Sequence, residues 1–129
     1  SVMRVNVNSP FYLTQALLPL LRNSDDGRIL FTSSSVGRKG RAFWGAYAAS
    51  KAATENLSQT LAEELENTSK IRVNTINPGA TRTDMRALAY PGEDAEKLKS
   101  PEQIVASYLY LLGPEGAAIN GQSLDAQPR

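Results

Sequence analysis

Two short apolar runs flanking one long helix-forming run constrain this chain more than any other feature. Arg28 to Thr32 and Ile71 to Ile76 are each long enough for one strand, and residues 46 to 66 lie between them. The first run is continuously apolar at Ile29-Leu30-Phe31, as in strands buried on both faces of a parallel sheet. The second alternates and stops at Asn77-Pro78-Gly79, a strand terminator. Between them, Leu57, Leu61 and Leu65 form an i, i+4 stripe, which Ala49 and Ala53 extend where close packing is wanted. Strand, long helix and strand make a crossover unit, the connection that parallel strands require.

The remaining chain repeats the alternation. Residues 3 to 22 carry apolar side chains at helical intervals, with Pro10 and Pro19 expected to bend the helix or mark its ends. Asn23 to Gly27 is a polar turn cluster, and Arg38 to Gly45 reads as a basic loop ending near Trp44. Asn67-Thr68-Ser69 ends the long helix. Thr81 to Lys99 is a charged, turn-rich connection, longer than most loops in compact domains, and such loops are often lids. Ser100-Pro101-Glu102-Gln103 signals a helix start before Ile104 to Leu112, Gly113-Pro114 closes it, and Ile119 to Asp125 is a candidate last strand. The order predicts an α/β fold with ligand binding at the C-terminal ends of the strands. Ser34 and Pro78-Gly79 both follow strands directly and fall on that rim.

Composition narrows the chemistry. Fourteen Lys and Arg against thirteen Asp and Glu leave a net charge of +1, which suggests neither a nucleic-acid nor a membrane-surface partner. The chain has no Cys, which removes disulfides and fits a reducing compartment, so a cytoplasmic location is expected. It has no His, so His-based triads, His metal clusters and imidazole bases are all excluded, and no metal site is expected. Any acid–base group must be Tyr, Lys, Asp or Glu. The first residues lack the regions of a signal peptide, and no apolar run approaches the roughly 20 residues of a membrane span. The chain opens mid-pattern on Ser1, and a fragment is the expectation.

Within this frame, the stretch from Ser34 to Lys51 concentrates the reactive groups. Tyr47 and Lys51 lie four residues apart, so on a helix they leave the same face one turn apart. An ammonium beside a phenol favours the phenolate and makes tyrosine a usable acid–base group. A hydroxyl from Ser34, thirteen residues upstream, would share a substrate oxygen with Tyr47. Alone, the Tyr–Lys pair also fits an ordinary surface helix with a solvated lysine, and Ser33-Ser34-Ser35 also fits a turn cap. Arg38, Lys39 and Arg41 read as a solvated loop, because no aromatic interleaving supports a nucleic-acid patch. Arg82 and Arg86 read as surface charge, with an acidic substrate group as the alternative.

Taken together, these segments resemble the C-terminal half of a short-chain dehydrogenase/reductase. The Asn-Ser-Tyr-Lys tetrad of that family matches Asn6, Ser34, Tyr47 and Lys51. Val5-Asn6-Val7 before Phe11 is similar to its asparagine-bearing helix, and Gly27-Arg28-Ile29 leading to Ser33-Ser34 to its fifth strand. Tyr47 to Ala52 is similar to its active-site segment. Arg72-Val73-Asn74 to Pro78-Gly79, then Thr83-Asp84-Met85, resembles the sixth strand and its nicotinamide-side loop. Ile119-Asn120-Gly121-Gln122 resembles the approach to the seventh. Phe31 to Ser35 and Asp125-Ala126-Gln127-Pro128 are particularly similar to a bacterial subgroup of uncharacterised oxidoreductases. The glycine-rich turn of the family and its Asn-Asn-Ala-Gly segment are absent from these 129 residues.

The resemblance implies a Rossmann-like doubly wound parallel sheet, of which residues 1–129 form the C-terminal portion without the N-terminal dinucleotide-binding half. It implies an NAD(P)-dependent oxidoreductase acting on a carbonyl/alcohol pair. NADP or NAD is the implied cofactor, with NADP slightly favoured, and the residues that select between them are not in this chain. By the same resemblance Tyr47 is the general acid or base, and Lys51 assists it and holds the nicotinamide ribose. Ser34 binds the substrate carbonyl, and Asn6 kinks its helix and holds a water behind Lys51. Pro78 and Gly79 bring backbone to the nicotinamide, with Thr81 and Thr83 near its carboxamide and phosphates. A homodimer or homotetramer through the helices near 3–22 and 46–66 is also implied. Two other readings compete: a non-catalytic binding or scaffolding subunit, and a fragment inert by itself because its sheet edge is exposed.

Overall fold

The computed structural model describes residues 1–127; Pro128, the end of the terminal tetrapeptide above, lies outside the described residues. Three parallel strands form one sheet in the order β1-β2-β3, with β1 at Arg28–Thr32, β2 at Arg72–Asn77 and β3 at Ser123–Asp125. Helix α1 (Ser9–Arg22) precedes β1, and a four-residue helix, α2 (Ser35–Arg38), follows it. Helix α3 (Gly45–Glu66) crosses from β1 to β2, and α5 (Pro101–Leu112) crosses from β2 to β3 after the short α4 (Asp84–Ala89). The expected α/β architecture with crossover helices is the one found. Among the described residues, no helix is long and apolar enough to cross a membrane.

The central strand explains the layout. Val73 and Ile76 of β2 are fully buried, as is Ile71 just before it. Ile71 and Val73 pack with Leu61, Ala62 and Leu65 of α3, and Leu18, Leu21, Ile29 and Phe31 close around them. Burying roughly 25 cal/mol per Å² of apolar surface makes this cluster the main support of the sheet. The same strand buries Asn74 and Thr75, which is tolerable because each is hydrogen-bonded. Asn74 donates to the carbonyl of Ile119 at 2.9 Å and accepts from the Gln122 N–H at 2.9 Å.

That side-chain clamp shortens the last strand. The expectation was a strand over 119–125, but only Ser123–Asp125 pairs with β2, in the register Thr75↔Ser123 to Asn77↔Asp125. Upstream, the Asn120 amide oxygen takes the Val73 N–H at 2.9 Å, and Gly121, at φ +69°, sends its own N–H to the Val73 carbonyl. A side chain and a left-handed glycine thus replace the ladder there.

Other differences are local. A π-helical turn, Arg4–Asn8, precedes α1, and Pro10 sits in the first turn of α1 while Pro19 lies inside it. Pro10 cannot donate to the Asn6 carbonyl, which is approached by Thr54 Oγ1 at 3.5 Å. Residues 35–38 are helical where a loop was expected only from 38 onward, and the 81–99 connection contains α4 and a 3-10 turn at Ala95–Lys97. At the start of α5, Ser100 donates its N–H to the Gln103 side chain at 2.7 Å, as the sequence signal requires. Ala49 is exposed, so the expected close packing there is not found; the buried face of α3 runs through Ser50, Thr54, Ser58, Leu61 and Leu65. Helix α1 buries none of its residues, and Phe11, Tyr12, Leu13, Leu17 and Leu20 are exposed.

Candidate active site

A cleft of about 690 Å³ opens at the C-terminal ends of β1 and β2. It is lined by Ser34 and Tyr47 on one side and by Pro78, Gly79, Thr81 and Thr83 on the other. The structure therefore brings six of the eight sequence-predicted site residues to one cavity. Asn6 and Lys51 stand behind it.

Ser34 is placed by the end of β1. The Ser33 N–H donates to the Ile76 carbonyl at 2.8 Å, carrying the pairing one residue past the strand, and Ser34 then takes extended backbone as the N-cap of α2. Its side chain makes no capping bond, so the turn-cap role is not used. Gly37 in α2 determines how close this turn sits to α3: a Cβ there would lie 2.8 Å from the Lys51 carbonyl carbon. Only glycine allows α2 to rest on the backbone of Lys51.

Tyr47 and Lys51 leave α3 one turn apart, as their spacing requires. Neither the Tyr47 nor the Ser34 hydroxyl has a hydrogen-bond partner among the described residues, so both are available to a ligand oxygen. The Lys51 ammonium lies 5.6 Å from the centre of the Tyr47 ring and donates to the Thr32 carbonyl at 3.1 Å. Desolvation by burial pushes the Lys51 pKa below the ordinary lysine range. Asn6 reaches this turn indirectly. Its amide donates to Ser50 Oγ at 3.1 Å, and Ser50 Oγ donates to the Tyr47 carbonyl at 2.7 Å. Asn6 is thus tied to the start of α3 without touching the cleft.

The opposite wall is a built turn. Gly79 has φ +77°, and Gln127 Nε2 donates to the Pro78 and Ala80 carbonyls, both at 2.9 Å. A Cβ at Gly79 would meet that amide at 3.0 Å, so left-handed backbone and a tight neighbour both call for glycine. Thr81 Oγ1 donates to the Gly79 carbonyl at 3.0 Å and keeps its lone pairs for a donor. Thr83 Oγ1 accepts the Arg86 N–H at 3.1 Å and keeps its proton for an acceptor. Ser33 also lines the cleft, with its hydroxyl buried and unpartnered. This donor set is neutral, and it suits a carboxamide better than a phosphate.

Several contributors were not legible beforehand. Trp44 lies 5.6 Å from the Tyr47 ring and stacks on Tyr90 at 6.2 Å and 26°. The Tyr108 hydroxyl, 3.1 Å from Thr32 Oγ1, closes the floor from α5. The aromatic character of the Trp44 region was the available signal, and a lone Trp in a loop points nowhere in particular. Arg38 corrects the solvated-loop reading. It bonds Asp125 at 2.7 Å, Ser123 Oγ at 2.9 Å and the Leu124 carbonyl at 3.1 Å, tying the turn after Ser34 to β3. Arg82 and Arg86 are paired with Glu96 and Glu93. No group of three or more His, Cys, Asp or Glu among the described residues could hold a metal ion.

The short chain dehydrogenase profile matches residues 1–94, which hold Asn6, Ser34, Tyr47, Lys51 and the turn after β2. The chain belongs to the short chain dehydrogenase family. The uncharacterized oxidoreductase YciK of Escherichia coli strain K12 is 60% identical over 127 residues, covering 98% of this chain and 50% of that protein. A short chain dehydrogenase structure from Salmonella enterica serovar Typhi superposes with a TM-score of 0.94 at 60% identity, over 98% of this chain and 51% of that one. A structure of the family from Escherichia coli CFT073, complexed with NADPH, superposes equally well, with a TM-score of 0.94, 60% identity and 98% and 52% coverage. The short chain dehydrogenase fold is thus shared along almost the whole chain, which spans about half the length of these relatives.

Proposed function

We propose that residues 1–129 are the C-terminal portion of one Rossmann-like domain, and that the full-length protein is an NADP(H)-dependent oxidoreductase of a carbonyl/alcohol pair. The observation that carries this is the pairing of two unpartnered hydroxyls, Ser34 and Tyr47, on one cleft, with the Lys51 ammonium one turn behind. Coverage of half of each relative supports the first clause, and the NADPH complex of the Escherichia coli CFT073 protein supports the choice of cofactor.

The turn from Pro78 to Thr83 fits the nicotinamide end of such a cofactor, through backbone approach at Gly79 and two threonine hydroxyls of opposite hydrogen-bonding sense. When bound, the nicotinamide supplies the hydride to the carbonyl carbon in reduction and takes it back in oxidation. Ser34 holds the carbonyl oxygen in place by donating to it. Tyr47 protonates that oxygen in reduction and removes the alcohol proton in the reverse direction. Lys51 favours the phenolate so formed by its charge and would hold the ribose of the bound cofactor. Asn6, through Ser50, fixes the first turns of α3 that carry both groups. The exposed apolar residues of α1 support a homodimer or homotetramer through α1 and α3.

The test is fluorescence titration of NADPH and NADH against the full-length protein and its Tyr47→Phe variant, followed by turnover on a carbonyl panel. NADPH should bind both proteins, with turnover reduced at least about 100-fold in Tyr47→Phe. A folded protein that binds neither nucleotide would refute the enzyme reading and favour a scaffolding role.

A further inference from the structure

We infer that the substrate is an uncharged carbonyl compound carrying an aromatic ring beside the carbonyl, received against Trp44 and Tyr90 and selected against carboxylates by the Arg86–Glu93 pair. This inference rests on the oxidoreductase reading above and adds the chemical class of its substrate.

The ring-binding wall is built from two segments far apart in sequence. Trp44 is the N-cap residue of α3, three positions before Tyr47, and it follows Phe43, whose φ is +71°. A left-handed backbone at a bulky residue is strained, and such strain persists only where the surroundings require it. The turn is secured on both sides: the Trp44 N–H donates to the Arg41 carbonyl at 3.2 Å, and its carbonyl accepts from the Ala48 N–H at 2.7 Å. From the 81–99 connection, Tyr90 stacks on the indole. A carbonyl oxygen held between Ser34 and Tyr47 leaves its substituent beside the indole, whose ring centre is 5.6 Å from that of Tyr47 and tilted by 59°. Aromatic pairs at such distances favour stacked or edge-to-face contact. Met85, Ile104 and Val105 continue the lining with apolar groups.

Charge then sets the selection. Among the described residues, Arg86 is the only charged side chain on the lining. One face of its guanidinium lies 3.9 Å from the centre of the Tyr90 ring, and its edge donates twice to Glu93, at 2.8 and 3.0 Å. Arg82 is held by Glu96 at 3.4 Å. A substrate carboxylate entering this cleft meets a cation already neutralised, with no second one among the described lining residues. Such a group would lose its hydration without gaining a partner.

The experiment uses the full-length protein with NADPH and three aldehydes: 4-methylbenzaldehyde, 4-carboxybenzaldehyde and hexanal. For wild type, kcat/KM for the methyl compound should exceed that for the carboxyl compound by about tenfold or more. Trp44→Ala should lower the ratio of 4-methylbenzaldehyde to hexanal by about tenfold. Glu93→Gln, at the surface and away from the core, should free Arg86 and narrow the discrimination against 4-carboxybenzaldehyde by about fivefold. A wild-type preference for the carboxyl compound, or a ratio unmoved by Trp44→Ala, overturns the inference. Reduction of hexanal with no ring preference overturns it too, while leaving the oxidoreductase reading standing. Failure to bind NADPH refutes that reading, and the inference with it.

Discussion

The wall of the cleft built on β2 and α3 buries every residue from Val73 to Ile76, whereas the opposite wall, residues 81–99, buries none. The first is held by packing and by a buried carboxylate. Glu55 of α3 accepts from Thr75 Oγ1 at 2.8 Å and from Ser123 Oγ at 2.9 Å, and Arg38 lies 3.6 Å away. One side chain therefore joins α3, β2, β3 and the turn after Ser34. The second wall is held by exposed ion pairs, an aromatic stack and a single bridge between Thr81 and Lys99. Ser34, Tyr47 and Lys51, proposed for chemistry, stand on the rigid side, and so does Trp44 at the start of α3, whereas Tyr90 and Arg86, proposed for selection, stand on the loose one. A reacting pair needs fixed geometry, while a lid must open to admit its ligand.

The largest expected effect breaks the rigid wall. Glu55→Ala takes the acceptor from the Thr75 and Ser123 hydroxyls and a carboxylate from beside Arg38, in a site that is 7% exposed, and it should cost about 3 kcal/mol in chemical denaturation. A loss below about 1 kcal/mol would mean that packing alone holds this wall. The next effect is smaller and depends on pH. Burial lowers the folded-state pKa of Lys51, so between that value and the ordinary lysine range the unfolded chain binds more protons than the folded one. The contribution of Lys51 to stability should therefore rise with pH across that window. Lys51→Met should remove the slope, as read from denaturation midpoints of the two proteins between neutrality and the ordinary lysine range. The smallest effect belongs to the loose wall. Glu93→Gln should move the thermal midpoint by no more than about 2 °C, because exposed ion pairs contribute little to stability. A larger shift would show that the lid is part of the cooperative fold.

Much of the fold was legible because its signals are local. Arg28 to Thr32 is a strand with the bounds its apolar run suggested, and α3 begins one residue before the expected start. The Tyr47–Lys51 relation follows from helical periodicity alone, and Pro78-Gly79 follows from how strands end. The misreadings share one cause. Arg38 looks solvated in sequence because its partners, Ser123 and Asp125, lie 85 and 87 residues away. Asn120 looks like an ordinary strand position, yet its amide, with that of Asn74 in β2, replaces the ladder that residues 120–122 were expected to join. Ala49 looks like a packing residue because its spacing matches a stripe whose true centre is rotated toward Ser50 and Thr54.

By itself, the sequence determined the alternation of strand and helix, the parallel sense of the sheet and the shared face of Tyr47 and Lys51. Each of these depends on the repeat of a single element or on the length of a single connection. Only the tertiary structure decided that Ser34 and Tyr47 face one cleft with Pro78 and Gly79, that Gly37 lets α2 settle on Lys51, and that Trp44 meets Tyr90. Those contacts arise where crossovers bring distant segments together, and the partner of a side chain there is set by packing across the sheet rather than by its neighbours in the chain.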